Sequence, residues 1–444
     1  MTALRSWSGA CTTPPEIGLA PGLIAEIMAE EFREIPRSGF PIALQPMIVP
    51  RNSYLELLSA TAGLISLLRK AVVNLADDRP GRMAALGIDP ADCPMFVPDE
   101  DFELRHCADM TRADVIIGPD GPKFIEFNVS GGFGGMAHFL LYQQAWHRIR
   151  EAAGRPAFVA VDAFAQQARL IETTCAELGV PPSAVIVGTP RDWGPGTGSR
   201  VFDVQVNALR RHGVHATQLE FDDLLTGIGL PGNLRTHLGI AAFTVQDAAT
   251  VGYDLSPVRA ALDAGLLLVP SQSAWFLHTK KTLALLSEGQ PWMTGSETEL
   301  VRRYVPWSRV VGDREVWWRD TKHHLPRLLV DRKDDFVLKG ATGCAGEEVF
   351  LGGTISDEVW SCLVEDAVRT GDFIVQERVE TQPYPLDLLA ESGEINRISA
   401  TPVVSPFCLG GRAAGCYVRF TDEGHQASTI GGVTARRTCL LAEA

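Results

Sequence analysis

Four polar residues that together suit a cation site flank one turn-rich segment of the sequence: Arg112, Asp114, Glu126 and Asn128. They lie in Thr111-Arg-Ala-Asp-Val-Ile-Ile117 and Lys123-Phe-Ile-Glu-Phe-Asn128, with Gly118-Pro-Asp-Gly-Pro122 between. The middle block predicts a hairpin with a five-residue turn centred on Asp120. In that register Asp114 faces Glu126 and Arg112 faces Asn128. All four share one face because strand side chains alternate, and Val115, Ile117, Ile125 and Phe127 take the other. Opposed carboxylates have Cβ atoms about 5 Å apart and repel, so a cation must offset them. Arg112 supplies part of that charge. Two carboxylates and an amide oxygen are also the hard donor set of Mg2+, whose shell is completed by water and phosphate oxygens. The plain alternative is the solvated polar face of an amphipathic hairpin.

Directly afterwards, Gly132-x-Gly134-x-x-Ala137 matches the dinucleotide fingerprint between a strand and a helix, with Asp162 placed to take a ribose hydroxyl. This opens a second reading, an NAD(P)- or flavin-dependent oxidoreductase. Against it, the strand leading into such a loop is normally apolar, and this one carries Glu126 and Asn128.

A second group of residues begins at Phe336-Val-Leu-Lys-Gly-Ala-Thr-Gly-Cys-Ala-Gly-Glu-Glu-Val-Phe-Leu351, which reads as strand, glycine-rich loop, strand. The loop from Gly340 through Gly343 to Gly346 suits backbone N–H groups laid against phosphates. No Lys-Ser or Lys-Thr follows its last glycine, so it is not a Walker A loop. The cation sits before the loop instead, as Lys339 on an apolar strand, where it needs an anionic partner or an edge position. Phe373-Ile-Val-Gln-Glu-Arg-Val379 is a further apolar strand that turns polar at Gln376.

The elements that must carry these residues follow from periodicity. Residues up to about 100 read as mostly helical, broken at Pro36, Pro41, Pro46 and Pro50. Met136 to Ala153 has helical apolar spacing. From about 156 to 271 apolar strands (184–188, 238–244 and 266–269) alternate with amphipathic helices (201–212 and 256–264), which predicts an open α/β layer on a parallel sheet. A Trp-rich helical stretch after Lys280 leads into a second strand-rich region, about 335–433.

Length and composition set the outer limits. A chain of 444 residues suggests roughly three domains. Forty Lys and Arg stand against 54 Asp and Glu, a net charge of −14, which disfavours nucleic acid and anionic membranes. Leu55–Ala76 is too polar to span a bilayer. Met1–Ala10 has no leader-type apolar run, and nine cysteines without a Cys-x-x-Cys pair predict neither a zinc site nor a disulfide framework. A cytoplasmic setting is expected.

Taken together, the segments resemble the ATP-grasp superfamily, in particular its circularly permuted branch, typified by the synthetase domain of glutathionylspermidine synthase. Glu126-Phe-Asn128 precedes Lys339 here, the reverse of the usual order, and the Arg-x-Asp…Glu-x-Asn spacing is similar to that branch. The resemblance implies an α/β fold with a Rossmann-like parallel-sheet domain inserted between two halves of a nucleotide site. Its segments would be a helical N-terminal part (1–100), a metal-binding half (101–153), a substrate domain (154–275), and a lid with the rest of the core (276–444). It implies an ATP-dependent ligase that joins a small carboxylic acid to an amine or amino acid through an acyl phosphate.

Residue by residue, the resemblance makes Asp114, Glu126 and Asn128 ligands of two Mg2+ ions and Arg112 and Arg419 catalytic. Lys281 (or its neighbour Lys280), Lys339, Gly340, Gly343, Gly346, Gln376, Glu377 and Val379 would bind ATP, and Ser130, Gly131 and Gly132 the substrate. Two departures stand out. Val129-Ser-Gly-Gly132 replaces the branch's Asp-Thr-Pro-Thr run, and Cys344 stands where its lid loop carries Arg, so substrate identity does not carry over. A homodimer is the expected assembly. A non-catalytic nucleotide-binding protein stays open beside the ligase and the oxidoreductase.

Overall fold

The computed structural model describes residue 7 and residues 17–35, 42–188, 198–226, 235, 237–343, 348–381, 383–390, 392–421 and 436–442. The fold is α/β, and among the described residues the buried apolar side chains gather in three cores: two that each take residues of the largest sheet, the first of them shared with the parallel sheet, and one at the small antiparallel sheet. Among the described residues no helix is long and apolar enough to cross a membrane.

The largest sheet has eight strands drawn from distant parts of the chain. Ile42–Ala43, Tyr384–Leu389, Ile395–Leu409, Arg412–Thr421, Arg436–Ala442 and Met47–Val49 follow one another across it. Met110–Gly118 pairs with Ile395–Leu409 and carries Gly121–Val129 as its outer partner. Helix Arg51–Val73 covers this sheet. Its Tyr54, Leu57, Leu58, Leu64, Ile65 and Leu68 recur at helical spacing and are buried. The first hundred residues thus contribute two short edge strands as well as helices, because the prolines around them stop helical runs and leave extended pieces.

A second sheet, His215–Leu219, Ser183–Val187, Leu238–Ala241 and Leu267–Val269 in that order, is parallel throughout. Ala184, Val185, Ile186 and Val187 are all buried, as expected of a strand covered on both faces. Helices Ala163–Leu178, Gly198–Arg211 and Ser256–Asp263 alternate with its strands. A third, antiparallel sheet runs Val349–Leu351, Phe336–Gly340, Phe373–Glu377 and Ser308–Val310. Trp360 of helix Asp357–Thr370 is sealed beneath it.

The hairpin Met110–Val129 departs from its expected shape in an instructive way. It turns over Pro119-Asp120 alone, with Gly118 paired to Gly121, instead of over five residues. A tighter turn by itself would slip the register by one residue and turn the polar set to the other face. The slip is cancelled by a bulge. Val115 pairs with Phe124 while Asp114 pairs with Glu126, leaving Ile125 as the extra residue. Beyond the bulge Arg112 pairs with Asn128, so both anticipated pairs are present.

Candidate active site

Asp114 and Glu126 oppose each other across the hairpin, and each is answered by cations from elsewhere in the chain. Arg419, on strand Arg412–Thr421, places Nη2 2.5 Å from Asp114 Oδ1. Arg112 Nε lies 3.5 Å from the same oxygen, and Ser405 Oγ donates to it at 3.2 Å. Arg112 also donates to the carbonyl of Gly134 at 3.1 Å, which ties the hairpin to the glycine-rich stretch after it. On the other carboxylate, Lys280 Nζ stands 3.2 Å from Glu126 Oε1. Lys339 Nζ donates to Gln376 Oε1 at 2.8 Å and to the carbonyl of the bulged Ile125 at 3.3 Å. Gln376 is fixed in turn by donating to Ser308 Oγ at 3.0 Å.

The glycine-rich loop after Lys339 is fastened to the start of helix Lys280–Glu288. The Ala341 carbonyl accepts from Lys280 N at 2.9 Å and the Gly343 carbonyl accepts from Lys280 Nζ at 2.6 Å. Lys281, the position the resemblance favoured, is not brought to this group. Its Nζ bonds the Leu86 carbonyl at 2.9 Å and Asp372 at 3.2 Å, while Lys280 turns inward. The two are adjacent on a helix, about 100° apart, so only one can face the site. Gly340 and Gly343 form a close cradle: a Cβ on either would lie 2.0 or 2.8 Å from Glu348 Oε2. Gly346 and Cys344 lie outside the described residues.

Glu377 and Val379 do not join the buried group. They line a neighbouring cleft of about 650 Å3 with Leu286, Met293, Trp307 and the hairpin tip at Asp120, where Glu377 also pairs with Arg319 at 2.9 Å. Ser130 and Gly131 line a separate enclosure of about 60 Å3 with Met95, Phe102, Phe243 and Trp275. Gly131 and Gly132 press on the end of a parallel-sheet strand: a Cβ on Gly131 would meet the Ala241 carbonyl oxygen at 2.1 Å. The dinucleotide fingerprint lacks its needed setting. The strand before it is antiparallel and part of a hairpin, not of a βαβ unit, and Asp162 caps helix Ala163–Leu178.

The electrostatics follow from crowding charge into a buried place. Burial pushes the Asp114 carboxyl up, but Arg419 and Arg112 outweigh it and hold it below the usual carboxylate range. Glu126 is likewise buried, yet Lys280 and Lys339 prevail over that and over Asp114, so it too stays ionised. The cations bear the cost. Burial and then the charge of Arg419 pull Arg112 down to about 10, and burial pulls Lys339 down to about 8. Burial, reinforced by Lys280, lowers His278 to about 4, so its imidazole is neutral at pH 7. Arg112, Arg419, Lys280 and Lys339 together exceed Asp114 and Glu126 by two positive charges.

Among the described residues no group of three or more His, Cys, Asp and Glu side chains is disposed to hold a metal. The donor set is two carboxylates with the amide of Asn128, whose Nδ2 is occupied by the Arg112 carbonyl at 3.4 Å. That set fits a hard divalent cation: every donor is oxygen and both carboxylates are kept ionised. Sequence reasoning missed Ser405 and Glu348. Ser405 lies 291 positions from Asp114, and no local pattern marks it. Glu348 was legible only as a residue closing a glycine loop.

No family model matches the chain, and no curated protein matches it. Among solved structures it is similar to a glutathione synthetase-like effector from Globodera pallida, with a TM-score of 0.59 and 12% identity over 98% of this chain and 100% of that one. A candidate gamma-glutamylcysteine synthetase from Methylobacillus flagellatus aligns with a TM-score of 0.42 and 11% identity over 86% of this chain and 88% of that one. The first likeness shows a shared α/β fold along nearly the whole length of both chains.

Proposed function

We propose that the chain is an ATP- and magnesium-dependent carboxylate–amine ligase of circularly permuted ATP-grasp architecture. The observation that carries this reading is the surplus of two buried positive charges around the opposed Asp114 and Glu126, beside a glycine cradle. In a chain of net charge −14, such a surplus is matched by a polyphosphate. The fold shared with a glutathione synthetase-like protein supports the same class.

Asp114, Glu126 and Asn128 would hold magnesium, which when bound neutralises phosphate oxygens during transfer. Lys339 and Lys280 bind the triphosphate, and Gly340 and Gly343 let it approach the lid backbone. A substrate carboxylate oxygen attacks the γ-phosphorus as its bond to the β–γ bridging oxygen breaks, giving an acyl phosphate and ADP. An amine nitrogen then attacks the acyl carbon, phosphate leaves, and the nitrogen gives up a proton. Catalysis rests on position and charge rather than on a protein nucleophile. Arg112 and Arg419 stabilise charge on the transferring phosphoryl group and on the tetrahedral carbon. Ser130, Gly131 and Gly132 are the substrate-side contacts, and the substrates are small molecules.

The test is ADP release from ATP and magnesium with pooled small acids and amines, each pool also omitted in turn. Release that requires both pools, and that disappears in Asp114→Asn and Glu126→Gln, is the expected result. ATP failing to raise the melting temperature while NAD(P) does so would overturn the reading.

A further inference from the structure

Where strand Ile395–Leu409 turns into Arg412–Thr421, a second cleft of about 400 Å3 opens, sharing no residue with the group around Asp114 and Glu126. Four guanidinium-bearing side chains from four separate elements line it. Arg69 comes from helix Arg51–Val73, Arg105 from the end of helix Glu100–Arg105, Arg169 from helix Ala163–Leu178, and Arg412 from the start of its strand.

The acids in the cleft contact its histidine and not these arginines. Asp109 and Glu177 both face His106, at 2.6 Å from Nδ1 and 3.5 Å from Nε2. Arg69 turns its Nε to the Leu104 carbonyl at 3.1 Å. The side chains of Arg105, Arg169 and Arg412 have neither an ion pair nor a hydrogen bond among the described residues. Elsewhere in this acid-rich chain arginines find carboxylates readily, as Arg148, Arg314 and Arg397 do. Three of the four arginine side chains are left unpaired and the four outnumber the cleft's two carboxylates, an excess of positive charge that an anion relieves. The rim at Gly410-Gly411, with φ of 54° and 72°, presents no side chain to obstruct one.

Guanidinium forks match the paired oxygens of carboxylates and phosphates, and the volume is that of a small-molecule site. We propose that this cleft binds a small anion bearing two or more charged oxygen groups, a polycarboxylate or a phosphorylated metabolite, apart from the candidate active site.

The test is calorimetric titration of the whole chain, at low salt and without magnesium, with citrate and with inorganic pyrophosphate. At least one is expected to bind with a Kd below about 1 mM and to weaken as NaCl is added. The double variant Arg169→Ala/Arg412→Ala should lose at least about tenfold in affinity, while Arg327→Ala, which removes an exposed arginine outside the cleft, binds as the parent does. All the altered arginines are exposed, and Arg169→Lys/Arg412→Lys, which keeps charge without the fork, should fall between. Binding of citrate alone assigns a polycarboxylate and of pyrophosphate alone a phosphoryl ligand; either supports the proposal. It is overturned if neither probe binds, if the cleft-arginine variants bind unchanged, or if Arg327→Ala weakens binding as much as they do.

Discussion

Lys339 Nζ donates to the carbonyl of Ile125, the extra residue at the bulge of the carboxylate hairpin. A bulge interrupts the strand ladder, and the lysine meets the backbone at that interruption. One contact therefore links the small antiparallel sheet to the strand that carries Glu126, and places a buried ammonium beside a buried carboxylate.

That contact leads to a prediction about pH. Lys339 has its proton affinity lowered from 10.5 to about 8 by burial, so between those values the unfolded chain holds a proton that the folded chain lacks. Stability contributed by this site is therefore flat below pH 8 and rises with pH through the window, by at most about 3 kcal/mol. Denaturant titrations at pH 7.5 and 10 should show the parent gaining stability relative to Lys339→Met, a difference superimposed on the fall that the buried thiols impose on both chains. The same variant should bind ATP about tenfold or more weakly at pH 7, because a charge-assisted contact is lost. Equal ATP affinity would exclude the lysine from the nucleotide site.

Arg419→Met removes the closest partner of Asp114 and strands a buried charge, with an expected loss of about 3–5 kcal/mol. The sign with pH follows from the lowered Asp114 carboxyl. Its stabilising contribution is present above the unfolded value and is lost as pH falls through the folded one. In the variant, burial is opposed only by Arg112 and the Ser405 hydroxyl, so acid unfolding should begin at higher pH. A variant whose acid transition coincides with that of the parent would contradict the pairing.

Lys280 and Lys281 should separate cleanly. Lys280→Ala removes the cation facing Glu126 and Gly343, and ATP affinity should fall about tenfold. Lys281→Ala instead leaves the Leu86 carbonyl without its donor, so stability should fall by about 1–3 kcal/mol while ATP affinity changes little. Thermal denaturation and nucleotide titration of both variants decide it, and the reverse pattern would restore Lys281 to the site.

Glu348 sets its carboxylate against Gly340 and Gly343, where the lid backbone would meet phosphate. Like charges compete for that space. Glu348→Ala should therefore tighten ATP binding by roughly three- to tenfold, with a smaller gain at high salt. Weaker binding would show that the carboxylate assists the nucleotide.

Much of the fold was legible because its signals are local. Val185 to Val187 announce a covered strand by apolar run alone, and the spacing of Tyr54, Leu57, Leu58 and Leu68 announces a helix. That Asp114 and Glu126 share one face of the hairpin was also readable from parity. Its turn was not, since the two-residue loop and the bulge at Ile125 have cancelling effects that leave no separate mark on the alternation of charges.

The sequence by itself determined which residue types stand near one another along each strand: the even-numbered polar set of the hairpin, the lysine before the glycines, and the acid surplus of the chain. Only the tertiary structure decided which cations answer which carboxylates. Arg419 reaches Asp114 from 305 positions away, and Lys280 rather than Lys281 faces Glu126. The physical reason is that local periodicity sets the face on which a side chain emerges, whereas a charge partner is chosen by packing between sheets, where sequence separation has no direct expression.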